Sequence, residues 1–510
     1  MEAEHVAVQQ RVSWLLATSR LLSGNPSLAS REDFLQQLHA RGLVVDSTRI
    51  SRWESGDHRV RDNVVEAYES ILGLPKSSIV ALTANLRRAS GIDQEVTDHD
   101  HDDGVLDDLF DRAMHHTLTG SDWLSLATRI SGFERFYVTP EVRTTLCDTL
   151  LAELQLSVGH AQVTRTAAAN LAIGNLSFRR QMSRSLGAHI LSSDAQVFRP
   201  AMLVLRHVND DSVSDLALRL MSNERPVLAR AASSVVAMKL SEGRYAGESL
   251  LAVERHILQG IGASVGSSRS LVSLDLVARL PADSFARIWP HIVDRRLRRR
   301  VQLARETGEL EPPEVTRDVV HDVARVTQAA TLARFTQEPD QMLIRLVREA
   351  LFHVRHQRRA HASQLLGASP YRSALVGACL DLVGDENAFV AARAWDVLHR
   401  FGPIQGTDLV DRALDETRHE PQIRALIAVG TASGRLSESD AARLAAVAWD
   451  GLPDVQHAAT YALGMTGSTE VERLLEHTSP HQREAAAWWL RLGPAVTDQT
   501  SAEPGVHAVA

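Results

Sequence analysis

The sequence predicts an all-α fold, and three observations support this expectation. Hydrophobic residues make up 44% of the 510 residues but aromatic residues only 5%, a mixture that suits helix packed on helix better than packed sheets. A phrase recurs along the chain: an arginine, a pair of alanines, then leucine or valine at helical spacing. Small polar residues and glycines separate these phrases, as helix caps do. We expect a small N-terminal helical unit followed by a long helical array.

The N-terminal unit is predicted to span residues 1–91 and to hold five short helices. Apolar spacing and capping residues indicate helices near residues 8–24, 30–42, 46–56, 61–75 and 76–90. Ser30, with Asp33 three residues later, is typical of a helix start, and Asp46 is the predicted N-cap of the third helix. Five short helices with a turn between the second and third describe a helix-turn-helix domain.

The third helix has the side chains of a DNA-reading helix. Ile50 and Trp53, three residues apart, are predicted to face the core, and Gly56 to end the helix. The opposite face is predicted to carry the base-reading and phosphate-binding side chains near the helix start, Ser47, Thr48, Arg49 and Arg52. Two further arginines at the start of the next element, Arg59 and Arg61, are placed for backbone phosphates.

Residues 50–56, ISRWESG, closely resemble a phrase of the Xre or Cro/C1-type helix-turn-helix regulators. The resemblance covers roughly residues 8–90. It implies sequence-specific binding of double-stranded DNA, usually by a homodimer at an inverted repeat. The segment HARGLVVD before the third helix is longer than the tight turn of the family, which leaves the angle between the two helices open.

Residues 92–108 are densely acidic and are predicted to form a linker. The recurring phrase follows, with steps of 33 and 31 residues between Ala168, Ala201 and Ala232, and of 31 and 33 between Ala394, Ala425 and Ala458. This period is typical of stacked helical pairs, in which alanine lets backbones approach. The phrase resembles HEAT-like repeats over residues 109–493, with an irregular stretch at 245–385, and residues 494–510 are predicted to be a disordered tail.

Helix ends in the array are predicted from single residues. Asn387 and Asp454 precede helical patterns and are expected to be N-caps. Gly402, Gly434 and Gly467 fall where helices should stop.

Two arginine-rich runs form local basic patches on an otherwise acidic chain of net charge −8. One holds Arg295, Arg296, Arg298, Arg299 and Arg300; the other holds Arg345, Arg348, Arg355, Arg358 and Arg359. These patches could bind DNA or an acidic partner. Alternatively, they form a solvated face with ion pairs to Glu306 and Glu349.

Several patterns are expected to carry no special chemistry. The glycines of residues 260–270 lack the lysine of a phosphate loop and indicate a flexible connection. His353, His356 and His361 lack an evident carboxylate or cysteine partner and are interpreted as surface histidines. Cys147 and Cys379 lie far apart, which indicates neither a disulfide framework nor a zinc site. We expect no metal, no cofactor and no enzyme activity.

The sequence therefore predicts a transcriptional regulator whose N-terminal unit reads DNA and whose array docks a protein partner or senses a signal. Two alternatives remain open: an interaction scaffold whose N-terminal unit does not read DNA, and a sensor that binds a small ligand in the irregular stretch. The absence of a signal sequence and of a long apolar run predicts a cytoplasmic protein without a membrane partner, and the dominance of arginine over lysine indicates a bacterial source.

Overall fold

The computed structural model of the protein is helical throughout the part of the chain that it describes, which comprises residues 2–92, 103–208, 210–263, 267–332, 338–405 and 408–498. Within these ranges there is no β-strand; two isolated bridges join Ser157 to Val496 and Glu309 to His353. The predicted all-α fold is confirmed. No helix in these ranges has both the length and the apolar character that crossing a membrane requires.

The N-terminal unit holds six helices, one more than predicted. They are α1 (Glu2–Leu21), α2 (Pro26–Ala29), α3 (Arg31–Ala40), α4 (Ser47–Ser55), α5 (Asp62–Leu72) and α6 (Ser78–Ala89). The additional helix α2 is a single turn that Asn25 caps, since its side chain accepts a hydrogen bond from Ser27 N at 3.1 Å. As predicted, Ser30 caps α3 through Asp33 N. Gly73 follows α5 in the left-handed conformation, with φ of +65°.

The segment predicted as an acidic linker is helical in its second part. Helix α7 (Asp103–Met114) begins before the predicted end of the linker at residue 108. Leu106, Leu109 and Phe110 share one side of α7 and pack against the core, so the four acidic residues of this helix do not prevent its formation. Residues 93–102 lie outside the described residues.

The first part of the array is a succession of helices joined by short turns. It comprises α8 (Gly120–Ser131), α9 (Pro140–Leu156), α10 (Gly159–Gly174), α11 (Arg179–Leu191), α12 (Arg199–Leu205), α13 (Asp211–Leu220) and α14 (Pro226–Ser241). Helix α10 packs against α8, α9 and α11, and α14 packs against α12 and α13.

The stretch predicted to be irregular is also helical. It contains α15 (Gly247–Ile261), α16 (Ser268–Val277), α17 (Ala282–Ile288), a 3-10 turn (Trp289–His291), α18 (Arg295–Glu306), α19 (Pro313–Leu332), α20 (Gln341–Phe352), α21 (His356–Ala368) and α22 (Arg372–Leu382). Residues 264–266 of the glycine-rich connection lie outside the described residues.

The last part of the array has the clearest layering. It comprises α23 (Ala388–Phe401), α24 (Leu409–Asp415), α25 (His419–Ala432), α26 (Glu438–Asp450), α27 (Pro453–Met465), a 3-10 segment (Thr469–Glu476) and α28 (Pro480–Leu492). Helices α23, α25 and α27 stack side by side in one layer, and α24 and α26 form a second layer. Ala394, Ala425 and Ala458 are buried in the first layer, where their small side chains allow this close stacking.

The predicted caps of this part are largely correct. Asn387 accepts a hydrogen bond from Phe389 N at 3.0 Å and caps α23. Gly402, Gly434 and Gly467 follow α23, α25 and α27 with φ of +74°, +64° and +67°. The prediction for Asp454 is wrong, because α27 begins at Pro453, so that Asp454 lies within its first turn.

The N-terminal unit is packed onto the array through α1 and α6. Arg11 of α1 forms an ion pair of 2.6 Å with Glu349 of α20, and the indole nitrogen of Trp14 donates to Asp340 at 2.9 Å. Helix α6 packs along α10, where the amide of Asn85 donates to the carbonyl oxygen of Val163 at 3.0 Å. The N-terminal unit and the array therefore share one continuous core.

Residues 494–498, which the sequence assigned to a disordered tail, are packed against α9 and α10. Val496 N donates to Leu156 O at 2.9 Å, and Asp498 forms an ion pair of 2.9 Å with Arg165, which is buried. Residues 499–510 lie outside the described residues.

Two glycines bring the first and last parts of the array together. A Cβ atom on Gly402 would lie 2.7 Å from the Cα atom of Gly159, and both residues have positive φ. Only glycine fits such an approach of two backbones. The array is therefore curved so strongly that α10 and the end of α23 meet.

Candidate nucleic-acid interface

Helix α4 is positioned by a cap at each end. The carboxylate of Asp46 accepts a hydrogen bond from Arg49 N at 2.7 Å, and this satisfies one of the amide groups at the helix start. Gly56 follows the helix in the left-handed conformation, with φ of +86°. Both features agree with the sequence prediction, because each depends on residues within one helical turn.

The two faces of α4 differ in the way the sequence predicts. Ile50 and Trp53 are 0% and 4% exposed and belong to the core of the N-terminal unit. The predicted reading side chains are all exposed to solvent: Ser47, Thr48, Arg49 and Arg52. The guanidinium group of Arg49 lies 5.9 Å from the ring centroid of Trp53, and Nη1 of Arg52 lies 3.4 Å from Nε2 of His58. Four polar side chains thus project from one face of a short, well-anchored helix.

A buried ion pair holds α4 against α1. The carboxylate of Glu54 lies 2.6 Å from Nε and 2.8 Å from Nη2 of Arg20, and it accepts a hydrogen bond of 3.1 Å from the hydroxyl of Tyr68. The Arg20 side chain is 1% exposed. Burial alone would lower the pKa of Arg20. The hydrogen bond and the attraction to Glu54 together outweigh burial, so the pKa of Arg20 is raised. The sequence around Glu54 does not reveal this role, since its partners lie 34 and 14 residues away.

The predicted phosphate contacts flank this helix. Arg59 and Arg61 are exposed, and Arg61 is the residue directly before α5. Acidic side chains lie in the same region: Asp57 accepts a hydrogen bond from Ser55, and Asp62 pairs with Arg87 at 2.6 Å. The interface therefore carries local positive charge at α4 without a broad basic surface around it.

The second basic patch, on α18, is only partly exposed. Arg295, Arg296 and Arg299 are exposed, whereas Arg300 forms an ion pair with Glu311 and its side chain is 11% exposed. Arg298 lies 5.4 Å from the ring centroid of Trp289 and donates to the carbonyl oxygen of Ile292. Arg298 and Arg300 are therefore less accessible than the other three members of the predicted patch.

The other predicted arginine run, at residues 345–359, is divided in a similar way. Arg345 bonds Glu349 at 3.2 Å, and Arg348 lies 4.0 Å from Glu309. Arg355 and Arg358 are half-buried, and Arg359 is 4% exposed. This run does not form one exposed surface.

None of the three histidines predicted to be surface residues is fully exposed. His361 is 9% exposed, and His353 and His356 are half-buried. Burial, followed by repulsion from neighbouring arginines, lowers the pKa of His353 to about 2 and that of His361 to about 3. Among the described residues no group of three or more histidine, cysteine or acidic side chains has the arrangement of a metal site.

An open cavity of about 720 Å³ lies beside residues 494–498, and not in residues 245–385, where the alternative of a small-ligand sensor predicts a binding site. Glu153, Arg165 and Asp498 line it together with His116 and Thr149. The two carboxylates pair with Arg165 at 2.8 and 2.9 Å, so this arginine is held between two acidic side chains.

The structure also contains a cluster of buried and half-buried arginines that the sequence does not predict. The recurring phrase has an arginine next to the alanines, but close helix packing explains only the alanines. In the structure Arg199, Arg393 and Arg424, from this position of three repeats, lie close to Asp396. The recurring arginine is visible in the sequence. That these arginines lie close together in space depends on the curvature of the array.

Comparisons with known proteins add little to this description. No family model matches the chain, and no curated protein matches it. One similar solved structure comes from work on tubulin recruitment and assembly by microtubule polymerases with TOG domain arrays. It has 12% sequence identity and a TM-score of 0.26, and the alignment covers 75% of this chain and 93% of that chain.

Proposed function

We propose that the protein is a bacterial, cytoplasmic transcriptional regulator that binds double-stranded DNA in a sequence-specific manner through α4. The observation that carries this proposal is the exposure of Ser47, Thr48, Arg49 and Arg52 on one face of α4, while Ile50 and Trp53 anchor its other face. Arginine near the start of such a helix can bond guanine through two hydrogen bonds in the major groove. The resemblance of residues 50–56 to the Xre-type phrase supports the same function.

The phosphate contacts in this proposal come from Arg59 and Arg61, and a homodimer doubles them. Doubling is important because the N-terminal unit has nearly balanced charge, and affinity for DNA depends strongly on the number of neutralised phosphates. A two-fold dimer would place two copies of α4 about one helical turn of DNA apart. In this proposal the helical array, which we regard as HEAT-like, receives a signal or a protein partner and acts by binding and not by catalysis.

The test uses the full-length chain, because α1 and α6 bury side chains against the array. Selection from a random duplex library at moderate salt should recover an inverted repeat. On that site, Arg49→Ala and Arg52→Ala should each weaken binding by about 1 to 3 kcal/mol and relax specificity at one base position. Arg61→Ala should weaken binding to all sequences and reduce the salt slope by about one.

Arg473→Ala serves as the matched control, since this arginine is 67% exposed and lies far along the array. It should leave DNA affinity unchanged. A full-length protein that shows no preference for any duplex over random competitor would contradict the proposal.

A second function is favoured by the packing of the N-terminal unit. Because α1 and α6 share a core with α10, α20 and α21, the N-terminal helices also complete the array structurally. A chain in which they serve only this purpose would be a protein-interaction scaffold. Unchanged DNA affinity in both Arg49→Ala and Arg52→Ala would favour the scaffold over the regulator.

A further inference from the structure

Arginines from four helices converge inside the curve of the array. Arg199 begins α12, Arg359 lies in α21, Arg393 and Arg400 lie in α23, and Arg424 lies in α25. We call these five residues the arginine cluster. Arg199 comes from the first part of the array and the others from the last third, so the curvature that brings Gly159 to Gly402 also assembles this cluster.

Direct contacts link the members of the arginine cluster. A guanidinium nitrogen of Arg199 bonds Nε2 of His356, and Nη2 of Arg359 lies 3.4 Å from Nδ1 of the same ring. Arg393 pairs with the carboxylate of Asp396, and Arg424 shares this carboxylate at 3.2 Å. Four guanidinium groups thus contact one histidine or one carboxylate, and Arg400 donates to the backbone oxygen of Asp396.

The described residues place fewer acidic groups than arginines in this region. Burial alone would raise the pKa of Asp396, but Arg393, Arg424, Arg400 and Arg359 outweigh it and lower this pKa. Burial and mutual repulsion lower the pKa of Arg393 and of Arg400 to about 10, so both stay positively charged at neutral pH. Glu420 contributes a second negative charge at the edge, and Asp275 is already paired with Arg279 at 2.7 Å.

The histidines of the region add no compensating charge. Burial, and then repulsion from Arg199 and Arg359, keeps the pKa of His356 well below its usual value. The pKa of His399, which lies 3.0 Å from the hydroxyl of Thr431, is lowered to about 3, first by burial. Both rings are neutral at neutral pH, and the positive excess belongs to the arginines.

Several guanidinium nitrogens in the cluster are buried without a hydrogen-bond partner among the described residues. They are Nε and Nη1 of Arg393, Nε of Arg359 and Nε of Arg400. Arg393 is 1% exposed and Arg359 is 4% exposed. Burying a charged donor without a partner is costly, and buried ions are normally paired and fully bonded.

Two other buried arginines show the ordinary arrangement. Arg20 bonds both oxygens of Glu54, and Arg165 pairs with both Glu153 and Asp498. None of the nitrogen atoms of these two is left without a partner. In Arg359, Arg393 and Arg400, by contrast, four guanidinium nitrogens have no acceptor among the described residues.

From this excess of donors and positive charge, we infer that the arginine cluster binds a small anion with two or more linked phosphate groups. Guanidinium groups bond phosphate oxygens in pairs, and several of them match a multivalent anion better than a single carboxylate does. Arg199, His356, Arg400 and Arg424 are half-buried, so the protein does not enclose the arginine cluster completely. The inference does not depend on DNA binding by α4.

Isothermal titration of the full-length protein at 150 mM salt tests this inference, with inorganic pyrophosphate, tripolyphosphate, orthophosphate and ATP as separate ligands. We expect one molecule of pyrophosphate or tripolyphosphate to bind per chain, at least tenfold more tightly than orthophosphate. Tighter binding of ATP than of tripolyphosphate would identify a nucleotide as the source of the phosphates, and equal binding would identify the phosphate chain alone.

Two variants, Arg199→Gln and Arg400→Gln, should each weaken pyrophosphate binding at least tenfold. Because each removes a positive charge from a region of mutual repulsion, the unliganded variants should melt no lower than the wild type, and the ligand should no longer raise their melting temperature. If one variant fails to fold, the other provides the same comparison.

Arg299→Gln is the matched control, since it removes one arginine from the exposed patch on α18. It should bind pyrophosphate like the wild type. The inference would be overturned by the absence of stoichiometric binding of every polyphosphate, or by equal loss of affinity in the control and in the cluster variants. Either result would leave the proposal of DNA binding by α4 intact.

Discussion

Nη2 of Arg11 lies 2.8 Å from Oε1 and 2.6 Å from Oε2 of Glu349, although the two residues are 338 positions apart in the chain. Their side chains are 6% and 9% exposed. Removing one partner leaves the other charge buried and unpaired, so Arg11→Met should cost about 3 to 5 kcal/mol of unfolding free energy. Denaturant unfolding, together with amide exchange in α1, measures this loss.

The control for that prediction is Arg345→Met. Arg345 bonds the same carboxylate from the solvent side and is 43% exposed, so its loss should cost less than about 1 kcal/mol. The double replacement Arg11→Met with Glu349→Leu should recover most of the stability, because it removes both charges. A single Arg11 variant as stable as the wild type would show that α1 does not depend on this ion pair.

Trp53 anchors α4, and its removal should unfold the N-terminal unit locally. Trp53→Ala leaves a cavity beside Ile50 and should cost about 3 to 5 kcal/mol. Arg49→Ala removes only an exposed contact with the same ring and should change stability by no more than about 1 kcal/mol. Tryptophan fluorescence cannot compare these variants directly, so circular dichroism during denaturant unfolding is the appropriate measurement. Equal stability of both variants would mean that α4 is held by other contacts.

Two helical glycines should respond in opposite directions to alanine. A Cβ atom on Gly464 of α27 would lie 2.0 Å from the indole ring of Trp489, so Gly464→Ala forces the helices apart and should destabilise the protein by about 1 to 3 kcal/mol. A Cβ atom on Gly377 of α22 meets nothing within 4 Å, so Gly377→Ala should stabilise the protein by about 0.5 to 1 kcal/mol. Melting temperatures that move in the same direction for both would contradict the packing of α27 against α28.

His361 should make the stability depend on pH. Burial lowers its pKa in the folded protein to about 3, whereas an exposed histidine in the unfolded chain titrates near 6.5. The unfolded state therefore takes up a proton first as the pH falls below about 6.5, and the folded state loses up to about 1.4 kcal/mol per pH unit relative to it. His361→Gln lacks this contribution, so its unfolding free energy should fall less steeply between pH 7 and pH 5. Parallel pH profiles for the two proteins would show that His361 is not held neutral by the fold.

The features predicted correctly from the sequence depend on residues close together in the chain. Asp46, Ser30 and Asn387 cap helices through amides two or three residues away, and Ile50 and Trp53 face inward because of helical periodicity. Such features follow from local geometry alone. The exposure of the predicted DNA-contacting side chains on α4 has the same origin.

The features that were missed depend on contacts between distant segments. Val496 was assigned to a disordered tail because nothing in its neighbours reveals Leu156 as a hydrogen-bond partner. His361 was assigned to the surface because its burial comes from packing of α21 that no short pattern encodes. The arginine cluster is the clearest case: the repeat position of Arg199 is visible in the sequence, but its contact with His356 requires the curvature of the whole array.

The close approach of Gly159 and Gly402 fixes the number of repeats between them. In an open solenoid each repeat contacts only its neighbours, so duplication or loss of one repeat leaves the rest intact. Here, adding or deleting one helical pair between these two glycines would separate them and would also pull Arg199 away from α21 and α23. Relatives of this protein should therefore differ in loop length and side chains but preserve the count of helical pairs across this span.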